Sequence, residues 1–345
     1  MRFRGQQIRE LSLIFIFVAT ILFFGSQIDG YYAPRTFNRI TGAMALITVV
    51  AVGQTLVIIT RNIDLSVGSV VGFTAYFLGK QLSLYDDMNP YIAVMIAMGI
   101  GAGFGLINGL LVSYGRVPSI VVTLGTLALY RGLLVEYSGS RSIEVRTLPD
   151  WIKDLPQATL FNVGEIEMRF LPFIAVIVVI IFQLILTYTS FGRRLYAIGS
   201  SPDATKVAGI PSPRLVTAAF VICGALAGLG GFIYLARIGT ITVTAAQGLE
   251  LQVVAAVVVG GVSILGGSGT IMGAFIGAAL ISTIEQSLIR MRINEFWKDA
   301  LLGVFILAAV TIDSVLMNRV KGWWAKIRQR EQQPIQTPAS KEVLS

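Results

Sequence analysis

The sequence predicts an all-α integral membrane protein of about ten transmembrane helices, some short or broken, and three observations carry that reading. Of 345 residues, 54% are hydrophobic and 13% charged, against about 45–50% and about 25% in soluble domains. Apolar runs approaching the roughly 20 residues that cross a hydrocarbon core recur along the chain. Its 36 glycines are dispersed through those runs, where small residues let membrane helices approach closely.

The spans fall at residues 11–28, 40–60, 67–82, 91–112, 120–135, 170–188, 215–236, 251–265, 271–289 and 301–317. The basic start before 11–28 also has the form of a signal peptide, but no small-x-small cleavage site follows it, so the segment is expected to stay. Segments 67–82 and 251–265 are short enough to be tilted, broken or re-entrant. Such interruptions persist only where protein shields the backbone or a wet cavity receives it, so these two are expected to border a pathway. Residues 1–318 form the membrane domain and 319–345 a largely disordered cytoplasmic tail, with Trp323 and Trp324 as interfacial anchors. The longest outer loop, 136–169, suits a lid or docking surface.

Loop charge sets the orientation. With the N-terminus inside, 15 of the 27 basic and 6 of the 19 acidic residues are cytoplasmic, a net +9 that leaves −1 elsewhere and makes the total of +8. Both termini are then cytoplasmic, and the basic excess needs no nucleic acid to explain it.

Cys223 is the only cysteine and histidine is absent, which excludes intrachain disulfides, thiolate metal sites and imidazole chemistry. The one adjacent acidic pair, Asp86 and Asp87, precedes Asn89-Pro90 and reads as a turn. A membrane enzyme acting on lipid-linked substrates is therefore disfavoured. Gly79-Lys80 lacks the remaining residues of a phosphate-binding loop. Leu265-Gly-Gly-Ser-Gly-Thr270 joins two apolar runs and reads as a tight turn rather than a phosphate cradle.

The cytoplasmic loop 189–214 contains the signals of a short helix. Ser201 is the N-cap, Pro202 the first helical residue, Asp203 lies at the positive end of the dipole, Lys206 towards the negative end, and Gly209 is the stop. Thr205 lies between them, and Pro211 and Pro213 prevent continuation. About two turns of helix are too short to stand alone. Ala204, Val207 and Ala208 form one small apolar face that needs a partner surface.

The stretch Gly192-Arg-Arg-Leu-Tyr-Ala-Ile-Gly-Ser, followed by Asp203-Ala-Thr-Lys-Val-Ala-Gly-Ile210, resembles the coupling-loop signature of permease subunits of ribose-type ABC importers. Asn62-Ile-Asp-Leu-Ser-Val-Gly-Ser69 and Val117-Pro-Ser-Ile-Val-Val-Thr-Leu-Gly-Thr126 match two further motifs of that family, in the same order, and the resemblance runs from about residue 40 to 313. It implies a bacterial inner-membrane importer for a small neutral sugar or sugar-like solute. It also implies a second permease, identical or paralogous, a periplasmic solute-binding protein, and a cytoplasmic ATPase that binds ATP and Mg and docks on residues 201–209. No cofactor is expected in this chain. Ser201-Pro202 stands where family members often carry an Asn-acidic pair, which bears on the partner contacts.

Glycines at Gly101, Gly105 and Gly109, at Gly224 and Gly228, and at Gly269, Gly273 and Gly277 share helix faces and are expected to pack helices closely. Gln54, Thr55, Asn62, Asn108, Thr123 and Thr126 are candidate pathway residues, since neutral polar groups offer a hydroxyl-rich solute weak hydrogen bonds without a buried charge. Intramembrane ionisable groups are few: Arg131, Glu285, Asp313 and, at a boundary, Asp64. Arg131 and Asp313 lie near enough to helix ends to snorkel, and the partner of Glu285 stays open. The alternative, an ion-coupled secondary transporter or channel, would call for more titratable groups near the midplane.

Overall fold

A computed structural model of the chain describes residues 2–294 except 165, and beyond them residues 297, 300, 303, 304 and 307. Its helices are α1 (Arg2–Gln27), α2 (Pro34–Ile59), α3 (Val67–Leu84), α4 (Pro90–Ser113), α5 (Ser119–Ser138), α6 (Asp150–Asp154), α7 (Phe170–Tyr188), α8 (Ser190–Ser200), α9 (Pro202–Val207), α10 (Ser212–Ile238), α11 (Leu249–Val259) and α12 (Ile271–Arg290). An antiparallel hairpin, β1 (Thr159–Val163) and β2 (Ile166–Arg169), lies in the long loop before α7. Local sequence sets several boundaries. Asn89 accepts from the Tyr91 amide at 2.9 Å ahead of Pro90, and Thr270 accepts from the Gly273 amide at 2.9 Å; each satisfies a donor the helix leaves orphaned.

Helices occupy nine of the ten expected segments. Among the described residues, six of them (α2, α4, α5, α7, α10 and α12) are long and apolar enough to cross a membrane, so the count of ten is not reached there. The expected span 301–317 lies mostly outside the described residues, and Asp313, Trp323, Trp324 and the tail 319–345 lie wholly outside them. Segment 251–265 is shorter as a helix than expected. α11 ends at Val259 because Gly260 and Gly261 follow, the latter at φ +93°, a conformation that side chains strongly disfavour.

α2 and α10 are buried along most of their length, whereas α4, α5 and α7 leave broad apolar faces exposed. Lipid accepts apolar side chains on an outward face, and α7, with the highest mean hydropathy at 2.8, is among the exposed helices. The glycine faces explain how the inner helices meet. A Cβ on Gly101 or on Gly224 would collide with the other's carbonyl oxygen, Gly105 abuts the Phe220 carbonyl, Gly228 abuts that of Ala97, and Gly109 lies against Thr217. In the same way Gly273 and Gly277 press α12 on the carbonyls of Gly260 and Ala256, while Gly269 faces Val262. Seven of these glycines serve helix contacts within the protomer, where close approach gives dispersion contacts that lipid tails do not replace; Gly269, expected on the same face as Gly273 and Gly277, lies instead in the loop ahead of α12 at φ +131°. Ser113 and Thr217 add a hydroxyl pair at 2.6 Å across α4 and α10.

Candidate functional site

The loop between α7 and α10 contains two helices, not one. Thr189 caps α8 by accepting from the Gly192 amide at 3.2 Å, and Gly192, Leu195, Ile198 and Gly199 form its buried stripe. That spacing marks an amphipathic helix, which the paired arginines and glycines had masked as loop. α9 then begins at Pro202 with Ser201 accepting from the Ala204 amide at 3.4 Å. Its end is a complete Schellman motif: Ile210 N donates to Thr205 O at 3.0 Å, Gly209 N to Lys206 O at 3.1 Å, and Gly209 sits at φ +67°, as the motif requires. The Lys206–Asp203 pair at 3.6 Å is exposed on both sides and contributes little.

Thr205 faces inward, whereas Ala204, Val207 and Ala208 all point to solvent and Val207 is 91% exposed. The apolar face of this short helix thus has no cover within the described chain. Its foundation, by contrast, is firm. Arg61, at φ +66°, donates from Nε to the Gly199 carbonyl and from Nη2 to Ser200 O at 3.0 Å. Gly267 N donates to Ile59 O at 2.9 Å. Tyr196 donates to Gly269 O at 2.6 Å, and burial pushes its phenol up to about 12, so it remains a donor at physiological pH. At the centre no side chain fits: a Cβ on Gly199 would collide with the Ile59 carbonyl, and one on Gly267 would lie 2.7 Å from the Ser200 Cα.

Of the two segments expected to be broken, 67–82 is an unbroken helix within α3 and 251–265 stops at Val259; the junction joins the α8–α9 loop to two connections between helices. In one, α2 stops at Ile59 and α3 resumes at Val67; in the other, α11 stops at Val259 and α12 resumes at Ile271. The amides of Gly266 and Gly267 are spent on the carbonyls of Ser263 and Ile59, so they are not free to cradle a phosphate.

The first connection is held by a buried polar cluster. Asp64 accepts from Ser66 N at 2.9 Å and Ser66 Oγ at 2.7 Å. Asn108 of α4 donates to Ser66 Oγ at 2.8 Å and lies 3.4 Å from Asp64 Oδ2, and Tyr130 of α5 donates to Asn108 Oδ1 at 3.2 Å. The Gln54 amide, oriented by its partners, donates to Asp64 O at 3.2 Å and accepts from Asp64 N at 3.1 Å. Ile63 is held between Ser119, whose Oγ accepts from its amide at 3.2 Å, and Thr123, which donates to its carbonyl at 3.2 Å. Every buried polar group of an irregular backbone needs such a partner.

Five of the six pathway candidates are therefore found inside the protomer. Gln54, Asn108 and Thr123 hold the α2–α3 connection, while Thr55 and Thr126 are buried and donate to the carbonyls of Ala51 and Thr123. Asn62 alone is partly exposed, with its amide on Thr60. Arg131 donates to Ala245 O at 2.6 Å in the loop before α11. Two ionisable partners emerge that sequence reading passed over. Glu250 stands in the field of Arg131, and Arg237 in that of Glu285. Both lie at helix ends, just outside the hydropathy windows that would have drawn attention to them.

Asn108→Leu is expected to destabilise the protein, because it leaves Asp64, Ser66 and Tyr130 short of a partner at about 1–3 kcal/mol for a buried polar group. Unfolding of the detergent-purified protein measures this. Unchanged stability would mean that the cluster is not structural.

The family model described as branched-chain amino acid transport system, permease component, matches residues 36–310. The autoinducer 2 import system permease protein LsrC of Yersinia enterocolitica is 34% identical over 326 residues, covering 94% of this chain and 87% of its own. The protein of the same name from Photorhabdus luminescens is 33% identical over 341 residues, covering 98% of both chains. That from Salmonella typhi is 33% identical over 311 residues, 90% of this chain and 87% of its own. No solved structure matches the chain. An apolar helical body, two helix connections meeting one projecting loop, and a match of this extent agree: the chain belongs to the permease-component family of membrane import systems, and it is a ribose-type ABC importer permease as its motifs implied.

Proposed function

We propose that this permease passes a small, neutral, sugar-like solute across the inner membrane by alternating access, driven by a cytoplasmic ATPase that docks on residues 201–209. One observation carries the reading. The apolar face of α9 is uncovered, with Val207 91% exposed, and the α8–α9 unit is bonded through Arg61 to the α2–α3 connection and through Tyr196 to the α11–α12 connection. A partner that grips α9 thereby gains a direct hold on both connections. The sugar-like substrate class rests on the ribose-type motifs of the sequence; the relatives' names give autoinducer 2 as the solute of those proteins.

The remaining parts of the proposal are a second permease copy or paralogue, a periplasmic solute-binding protein that delivers the solute, ten spans, and both termini in the cytoplasm. ATP and Mg belong to the ATPase partner. Asn62, the partly exposed candidate at the α2–α3 connection, is the residue of this chain proposed to face the pathway.

Copurification with an ATPase subunit, followed by uptake measurements over a panel of sugars and sugar-derived signals in cells with and without this chain, tests the function. Loss of uptake of one such solute on deletion is the expected result. Uptake that follows an ion gradient and persists without the ATPase would favour the secondary-transporter alternative. Reporter fusions after Gly199 and within residues 155–167 should show opposite sides of the membrane; a common side would refute the orientation.

A further inference from the structure

The end of the helical body remote from α8 and α9 carries a concentration of arginine that the transport reading does not use. A cavity of about 220 Å³ there is lined by Ala33, Arg35, Thr36, Arg39 and Arg290. Arg35 and Arg39 are one turn apart at the start of α2 and exposed. Neither has an acidic partner among the described residues. Arg290 spends its guanidinium on neutral acceptors, the Thr36 hydroxyl and the carbonyls of Asp29 and Gly30, and makes no ion pair among the described residues. The N-terminal dipole of a 26-residue helix adds positive potential at the same place.

Ala33 and Thr36 also line a second space of about 650 Å³. This one is an apolar groove between α1, α2 and α12, walled by side chains such as Phe17, Ile21, Ile40, Met44, Phe275 and Ile276. Thr283 lines it too, and its buried hydroxyl has no partner among the described residues. Thr283 lies seven residues below Arg290, about 10 Å along α12. A basic cavity at a membrane helix end that opens into an apolar groove along the helices, with a lone hydroxyl partway down, has the amphipathic profile of a phospholipid. Basic pockets between membrane helices receive anionic headgroups on the cytoplasmic side, and the same pairing of arginine with phosphate is available at this end.

We propose that this composite site binds one anionic phospholipid, with its phosphate on Arg35, Arg39 and Arg290 and an acyl chain in the α1–α2–α12 groove. Thr283 offers its hydroxyl to an ester oxygen. The inference rests on the membrane location of the chain and not on its solute, its ATPase or its orientation.

The test is native mass spectrometry of the full-length permease, delipidated and titrated with phosphatidylglycerol or phosphatidylcholine. Wild type should retain phosphatidylglycerol preferentially. Arg35→Gln/Arg39→Gln should weaken that binding roughly 30-fold, from about 1 kcal/mol per arginine at a lipid surface, and weaken phosphatidylcholine, whose headgroup has no net charge, far less. Ile40→Trp, which obstructs the groove at a partly exposed position, should weaken phosphatidylglycerol but not glycerol 3-phosphate. Each variant is read only on monodisperse protein with wild-type helicity; Arg35→Lys/Arg39→Lys, which keeps both charges, should restore most of the affinity. Equal retention of both lipids by wild type would overturn the proposal. So would binding of inorganic phosphate with the groove variant silent, which would mark a free-phosphate site. Photocross-linking of Met44 to residues 301–317 or to a second copy, in place of lipid, would overturn it as well.

Discussion

Ala208→Trp is expected to insert into the membrane normally and to lose ATPase association, solute-stimulated hydrolysis and uptake together. Ala208 closes α9 beside Ala204 and Val207, all exposed, and residues this small present a shallow face whose receiving groove has no room for an indole. Overpacking a tight contact costs about 1–3 kcal/mol, which weakens docking roughly 5- to 150-fold at about 1.4 kcal/mol per decade. Insertion is spared because Ala208 touches solvent rather than the helical body. Replacing Arg193 or Arg194 singly with Gln should do much less: both are exposed, and Arg193 donates only locally, to Tyr188 O and Ser190 Oγ. Full solute-stimulated activity in Ala208→Trp would reduce α9 to a connector.

Gly199→Val should give the opposite dissociation of effects, with the ATPase still bound but its hydrolysis no longer responding to solute. The surface of α9 is untouched by this change. What it disturbs is the contact beneath, where the Gly199 backbone lies against the Ile59 carbonyl and Arg61 holds the Gly199 and Ser200 carbonyls. A valine there meets backbone rather than a flexible side chain, so the end of α8 must move away from the end of α2, at a cost at least in the overpacking range of about 1–3 kcal/mol. ATPase assays on the reconstituted complex, with and without solute, read the outcome. A variant that stayed fully solute-responsive would show that force does not pass through this contact.

How much of this was legible in the sequence depends on the range of the interaction. α9 was readable residue by residue, since Ser201, Pro202, Asp203 and Gly209 act within one or two turns of themselves. The glycine faces were legible as faces because a four-residue spacing is a property of one helix, while their partners, such as Gly101 with Gly224, became apparent only with the fold. α8 was missed because its buried stripe is interrupted by Arg193 and Arg194, which read as loop.

The pathway candidates show the limit most clearly. Gln54 and Asn108 are polar, neutral and within spans, which is equally the description of a residue facing a solute and of one facing Asp64. Only the position of residues 60–66 against α2 and α4 distinguishes the two, and that depends on contacts such as Asn108 with Ser66, 42 positions apart in sequence. Glu250 and Arg237 escaped for a related reason. Charges at helix ends look like topology signals until the fold brings an opposite charge within their field.

The central claim, that the uncovered face of α9 is a docking surface for an ATPase subunit, is tested most directly by maleimide labelling of Val207→Cys. The background is clean, because Cys223 is the only natural cysteine and is fully buried. In the permease alone the new thiol should label rapidly, as a position that is 91% exposed implies. In the assembled complex it should be protected, and protection should be lost when Ala208→Trp is added. Equal labelling rates with and without the ATPase would contradict the account.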